Sequence, residues 1–448
     1  MKVMKKITLL IILITVGGLF SCKPKIKVPE ASMGDVDASK FIAIGTNNTG
    51  GYSNDALNYT GQQNNYAAIL AKQFSMVNEI EFKQPLISSA SIGVNTMGQS
   101  ALKLGYKTDC KGITSLSPIR IGASGDLTQF NSIAGQGSFN NLGIPELSAI
   151  NLNTIGYGNS ANGAGNYNTY YSRFASNVAT ASVLSDALAQ NPTFFTFMVG
   201  DFDILKFAKS GGTSGPIPPS SGGEGIGFDG SVNAAISALI GNGARGVIAN
   251  IPDVTNYPFF NTIPYNGLTL DADKAQTLNA IYNPIGISFV VGANPFTIDD
   301  PSQPFGVRKM VEGELVLLSV PLDSVKCFGM GSAFPLRDEF VLTLDEIAEL
   351  QLKMDEYNAI LLATAQTYGL AFANVKLLIE KLKNGFVYNG VSMSSTFVSG
   401  GSFSLDGVQL NPNGQALLAN LFIESINNRY QARIPFANVN AYSGIIFP

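Results

Sequence analysis

The chain has 448 residues, 45% of them apolar and 13% charged, with a formal net charge of −4. That apolar content excludes a disordered chain and is enough to bury a large core, while no basic block beyond the N-terminal one offers a grip on nucleic acid. Histidine is absent from the whole chain, which removes the side chain that ordinarily moves protons near neutral pH.

The first 21 residues read as a leader. Lys2, Lys5 and Lys6 form a positive start, Ile7 to Phe20 is an apolar stretch shorter than the roughly 20 residues needed to span a bilayer, and Leu19-Phe20-Ser21-Cys22 resembles a lipobox. The expectation is cleavage before Cys22, lipidation of that cysteine and a mature chain anchored in a bacterial outer membrane. Lys23-Pro24-Lys25 lacks an acidic run, which points to a periplasm-facing anchor. Losing the three lysines takes the net charge from −4 to −7. Residues 22–39 read as a tether and 40–448 as one domain. Of the remaining cysteines, Cys110 and Cys327 suffice for one disulfide in an exported compartment, or they are two separate buried thiols.

In chain order, "FIAIG" (41–45) reads as a buried strand running into the turn "TNNTGG". "NNYAAILAKQFSMV" (64–77) carries helical spacing at Ala67, Leu70, Ala71 and Phe74. Residues 83–170, rich in Gly, Ser and Asn, read as an irregular excursion. "RFASNVATASVLSDALAQ" (173–190) reads as a helix and "PTFFTFMVG" (192–200) as a second buried strand. The Gly-Pro-Ser stretch 210–230 is expected as a flexible loop or movable flap. A helix at 231–244 leads into a strand at 245–253, an insertion follows at about 255–340, and a long helix occupies 342–369. A strand and helix share 370–385, and a capped amphipathic helix closes the fold at 411–430. Alternation of strand and helix implies an α/β fold with one mainly parallel sheet covered on both faces.

Sites in such sheets lie beyond the carboxyl ends of the strands. The segments that should meet there are the turn after Gly45, "FNNLGIPELSA" around Gly143, Gly200-Asp201-Phe202-Asp203, and Asp406-Gly407-Val408-Gln409. Their order resembles that of the SGNH/GDSL hydrolases, particularly the lipoprotein members of Bacteroidetes, over most of the mature chain. The resemblance implies a flavodoxin-like three-layer α/β/α fold with two large loop insertions. It also implies ester hydrolysis by a serine in the first block, an oxyanion hole from a glycine and an asparagine in the second and third, and an Asp-x-x-His pair in the last. Gly45, Gly143, Gly200, Asp203, Asp406 and Gly407 match this pattern. Asn47 stands at the nucleophile position, Phe202 at the oxyanion asparagine and Gln409 at the histidine.

An amide is no nucleophile and a glutamine does not titrate. Losing either the nucleophile or the base of such a triad costs on the order of a million-fold in turnover, and losing an oxyanion donor costs about a hundredfold or more. The expectation is a pseudohydrolase that binds through Thr46, Asn47, Asn48, Phe202, Asp406 and Gln409, taking an acyl chain or a glycan, or docking an outer-membrane β-barrel or other envelope protein through its insertions. No cofactor and no metal is expected, and zinc in particular lacks histidine ligands. The alternative is an esterase or carbohydrate deacetylase using Thr46, Thr49 or Ser53 with Asp406 or a lysine as base. Asp203 with Asp406 as a glycosidase pair is a minor option. Plainer roles compete throughout: Asn47 suits a tight turn, Asp406 a turn or cap, Phe202 a core wall, and Asp201 with Asp203 makes a weak cation pair.

Overall fold

The computed structural model describes residues 30–448, so the lipobox at Cys22 and the leader lie outside the described residues. Strand β1 is Phe41–Gly45, buried at every position. Helix α1 follows at Tyr66–Ser75, capped by the Asn65 side chain. Strand β2, Asn141–Gly143, emerges from the first insertion. Helix α2 (Val183–Leu188) precedes β3 (Phe194–Met198), and α3 (Asp201–Lys209) starts directly after it. Then come α4 (Phe228–Gly241), β4 (Arg245–Ala249), the second insertion, α5 (Leu344–Thr367), β5 (Ala371–Ala373), α6 (Val375–Asn384) and α7 (Pro412–Tyr430).

The five strands form one parallel sheet in the order β5-β4-β3-β1-β2. The near-continuous apolar runs "FIAIG" and "FFTFM" are buried at every position, as parallel strands of an α/β sheet commonly are. Helices α1 and α7 pack together, with Tyr66 stacked on Phe422 at 4.6 Å, and α7 also lies against β5 and β4. Helix α5 packs on α4, α3, β4 and β5, with Phe228 stacked on Tyr357 at 3.8 Å. Phe41 meets Phe74 edge-on at 5.1 Å, fixing α1 against β1.

Four expectations need correction. Residues 173–182 are not helical, and α2 begins only after Ser182, whose side chain forms a capping box with Ser185. Upstream, Asn177 accepts from the Ala179 and Thr180 amides and Ser176 bonds Asp186, so side chains take backbone groups that a helix would need. The first insertion is not wholly irregular, because Leu102–Thr108 and Thr114–Arg120 pair as an antiparallel hairpin. The period-two spacing of Leu102, Leu104 and Tyr106 carries that strand in the sequence. Residues 32–39 are packed rather than free: Ser32 pairs with Arg433, and Met33, Val36 and Ala38 are buried. Finally, the stretch 210–227 is irregular but anchored, since Tyr357 donates to the Pro218 carbonyl at 2.7 Å and Ile217 is buried, and residues 228–230 already belong to α4.

The second insertion builds satellite cores of its own, one around Phe296, Ile298, Met310 and Leu336 and another around Leu270, Leu278 and Phe289. Cys110 at the hairpin turn and Cys327 form a disulfide, so the two insertions are covalently joined across 217 residues. Ion pairs Lys107–Asp323 (3.3 Å) and Lys326–Asp109 (3.1 Å) flank the bridge. Among the described residues no helix is long and apolar enough to cross a membrane.

Candidate functional site

The strand order reverses at β1, which has β2 on one side and β3 on the other, and this is where an open parallel sheet offers a crevice at its carboxyl rim. The turns after β1, β2 and β3 meet there. The loop carrying Asp406 and Gln409 folds over them, because Asp406 accepts from the Asp55 amide at 3.0 Å and Asn48 accepts from the Leu410 amide at 3.4 Å. All four sequence blocks are therefore assembled on one rim. Close approach explains two of the glycines. A Cβ on Gly143 would lie 2.2 Å from the Gly50 nitrogen, and Gly200 has φ +93° with a Cβ there falling 2.6 Å from the Phe228 ring.

What the rim side chains do is mostly internal. Thr46, 1% exposed, donates its hydroxyl to both carboxylate oxygens of Asp201, at 2.6 and 2.8 Å. Asn47 accepts from the Glu146 amide at 2.9 Å and so holds the turn after β2. Asn48 is buried and also accepts from Gln415 Nε2 at 2.8 Å, tying the β1 turn to α7. Thr49 Oγ1 lies 3.1 Å from the buried Tyr66 hydroxyl, and Ser53 Oγ accepts from Asn58 at 3.0 Å. Asp406 takes the Val408 and Gln409 amides at 2.8 and 2.7 Å beside that of Asp55, a turn-forming role. Gln409 is 3% exposed, and its Oε1 has no partner among the described residues. Phe202 is half-buried in the first turn of α3.

Burial governs the electrostatics of this rim. It pushes Asp201 up to about 6 against the opposing hydrogen bond from Thr46. It does the same to Asp203, which accepts from the Ala149 amide at 2.9 Å. Asp201 and Asp203 thus face different partners. Asp406 and Glu146 are raised too, by the same desolvation, with Lys209 partly offsetting it at Glu146. In the sequence Asp201 reads only as half of a cation pair, and Glu146 lies inside the "FNNLGIPELSA" block with no role of its own to mark it. No pattern of residue spacing announces the Thr46–Asp201 pair, since its members are 155 residues apart.

The protein matches no family model, no curated protein and no solved structure.

The arrangement leaves little chemistry at the rim. The Thr46 hydroxyl, bonded to the Asp201 carboxylate, is sealed from solvent, and the amides at Asn47 and Asn48 are committed to holding neighbouring loops.

Proposed function

We propose that this chain is a lipid-anchored protein built on the SGNH/GDSL hydrolase scaffold, with a three-layer α/β/α arrangement, that has lost ester hydrolysis and serves as a binding component of the outer membrane. The observation that carries the reading is the occupation of the rim. Thr46, Asn47, Asn48 and Asp406, at and around the positions where the family holds its reagents, are engaged in internal hydrogen bonds, in a chain of 448 residues without histidine. The 2-1-3-4-5 order of the parallel strands supports the scaffold, being the order of flavodoxin-like sheets. Anchoring through Cys22 on the periplasmic side, and an acyl, glycan or envelope-protein partner, follow from the same reading.

One observation favours an enzyme instead. Thr46 Oγ1 is already bonded to a carboxylate pushed up to about 6, a pairing able in principle to accept the hydroxyl proton. Exposures of 1% for Thr46 and 3% for Asp201 argue against it, because an ester carbonyl must come within about 3.5 Å of the attacking oxygen.

Full-length protein incubated with short-chain aryl esters and a fluorophosphonate probe distinguishes the two. The expected result is background turnover and no covalent adduct, unchanged by Thr46→Val. Stoichiometric labelling of Thr46, or turnover lost in that variant, would overturn the proposal in favour of the enzyme.

A further inference from the structure

Away from the buried rim, a cavity of about 280 Å³ opens between the first-insertion hairpin, the start of the short helix Tyr59–Gln63 and the tail at Ser443–Ile446. Its walls combine two kinds of surface. Tyr59, Ile92, Ile121 and Leu405 supply an aromatic ring and aliphatic faces. Asn54, Thr60, Ser89 and Lys103 supply polar groups. The hydroxyls of Thr60 and Ser89, the Asn54 Nδ2 and the Lys103 ammonium have no hydrogen-bond partner among the described residues, in contrast to the rim, where nearly every polar side chain is engaged. No carboxylate lines the cavity, and Lys103 is its one formal charge.

The geometry points to a binding site for an acidic sugar. We infer that the cavity holds one carboxylate-bearing pyranose residue of a glycan, with the Lys103 ammonium against the carboxylate. Tyr59 and Ile121 would cover the apolar C–H faces of the ring, and Asn54, Thr60 and Ser89 would meet its hydroxyls. Three features select this class. An apolar ligand would leave the amide and hydroxyls desolvated without partners, an unfavourable exchange for each group. A small inorganic anion would leave the Tyr59 and aliphatic walls unused. A cationic ligand would face Lys103 with no carboxylate to answer it.

Asn54 joins this cavity to the candidate rim. Its Oδ1 accepts from the Leu405 amide at 3.0 Å and its backbone N–H donates to Ser404 Oγ at 3.0 Å, so the loop bearing Asp406 forms part of the cavity wall. The inference gives a ligand class to the binding role proposed above, but its test does not depend on whether the rim is inert.

The test is titration of the full-length protein with glucuronate and with glucose, followed by ligand-observed NMR or calorimetry. Saturable binding of glucuronate is expected, about tenfold or more tighter than that of glucose, the scale of one charge-assisted contact. Lys103→Gln should erase the preference for the acid, and Tyr59→Ala should weaken both sugars. Lys103 is exposed, so Lys103→Glu provides a charge reversal that leaves the core untouched and should abolish glucuronate binding while sparing glucose. Equal affinity for the two sugars, no saturable binding of either, or a Lys103→Glu variant that still prefers glucuronate would each overturn the inference. Ester turnover or probe labelling at the rim would count against the loss of hydrolase chemistry and leave this result unaffected.

Discussion

Asp201 and Asp203 are two buried carboxylates that stay near the sheet rim although their environment disfavours their charge. Each is pushed up to about 6 by desolvation, whereas an unfolded aspartate titrates near about 3.9. Between those values the folded chain holds a proton that the unfolded chain has released. Their contribution to stability is therefore complete below about pH 4 and is lost as pH rises through about 6. Replacing Asp201 by Asn removes that loss. Chemical denaturation of Asp201→Asn against wild type should show a stability gain that grows between pH 4 and pH 6.5 and then levels, with an upper limit of about 3 kcal/mol. A difference that shrinks over this range would mean that the Thr46 hydrogen bonds outweigh the desolvation. Asn48 presents the opposite case, an uncharged side chain that satisfies two donors at once. Asn48→Ala leaves Gln415 Nε2 and the Leu410 amide without their acceptor, and should cost roughly 1–3 kcal/mol by the same measurement. Its function in the fold was hidden in the sequence, because Asn47 and Asn48 are adjacent and chemically identical while one holds the β2 turn and the other holds α7.

At the scale of elements, legibility followed how much of each segment's structure is local. Helix α5 announces itself with Thr343 and Glu346, which form a reciprocal capping box, and α7 with Asn411 at its cap and Pro412 in its first turn. The strands β1 and β3 were legible as apolar runs. Segment 173–182 was not, since its apolar spacing is helical but its geometry is set by distant groups. Arg173 is buried and donates to the carbonyls of Gln129, Pro85 and Leu86, contacts that no local pattern encodes. Arg173→Leu keeps that apolar spacing while leaving the Gln129 and Leu86 carbonyls without a donor, Pro85 keeping its bond from Gln62 Nε2. It should lower the thermal midpoint clearly, with a cost of several kcal/mol, whereas Thr180→Ala at an exposed turn should cost less than about 0.5 kcal/mol. Of the candidate rim, the meeting of four blocks was readable from the rule that sites lie beyond strand ends. The burial of Thr46 and Gln409 was not, because it depends on how the 403–411 loop and the second insertion settle over the rim, where the Phe259 amide donates to the Gly407 carbonyl.

For the whole molecule, the disulfide is the feature that joins separate parts. The two insertions leave the sheet at different strands, the second carries small cores of its own, and the two are bridged by Cys110–Cys327 beside two ion pairs. Cross-links that close long loops constrain the unfolded chain most, so Cys110→Ser with Cys327→Ser should lower stability by about 2–4 kcal/mol. Calorimetry of the double variant checks the value. A shift confined to the insertions, seen as a separate early transition, would indicate that they unfold apart from the sheet. The lysines of the pairs Lys107–Asp323 and Lys326–Asp109 are exposed, so these pairs should add little at physiological salt.

The bridge also sets a timetable for biogenesis. Cys110 leaves the ribosome, and crosses any export channel, 217 residues ahead of the thiol it must find. At synthesis rates of about 5–20 residues per second the hairpin thiol waits on the order of ten seconds or more as a reactive group, exposed to whatever oxidant or mixed-disulfide partner it meets first. Maturation of this chain is thus tied to a thiol oxidant acting late, after the second insertion has emerged, and a host lacking one should accumulate the protein with two alkylatable cysteines at positions 110 and 327.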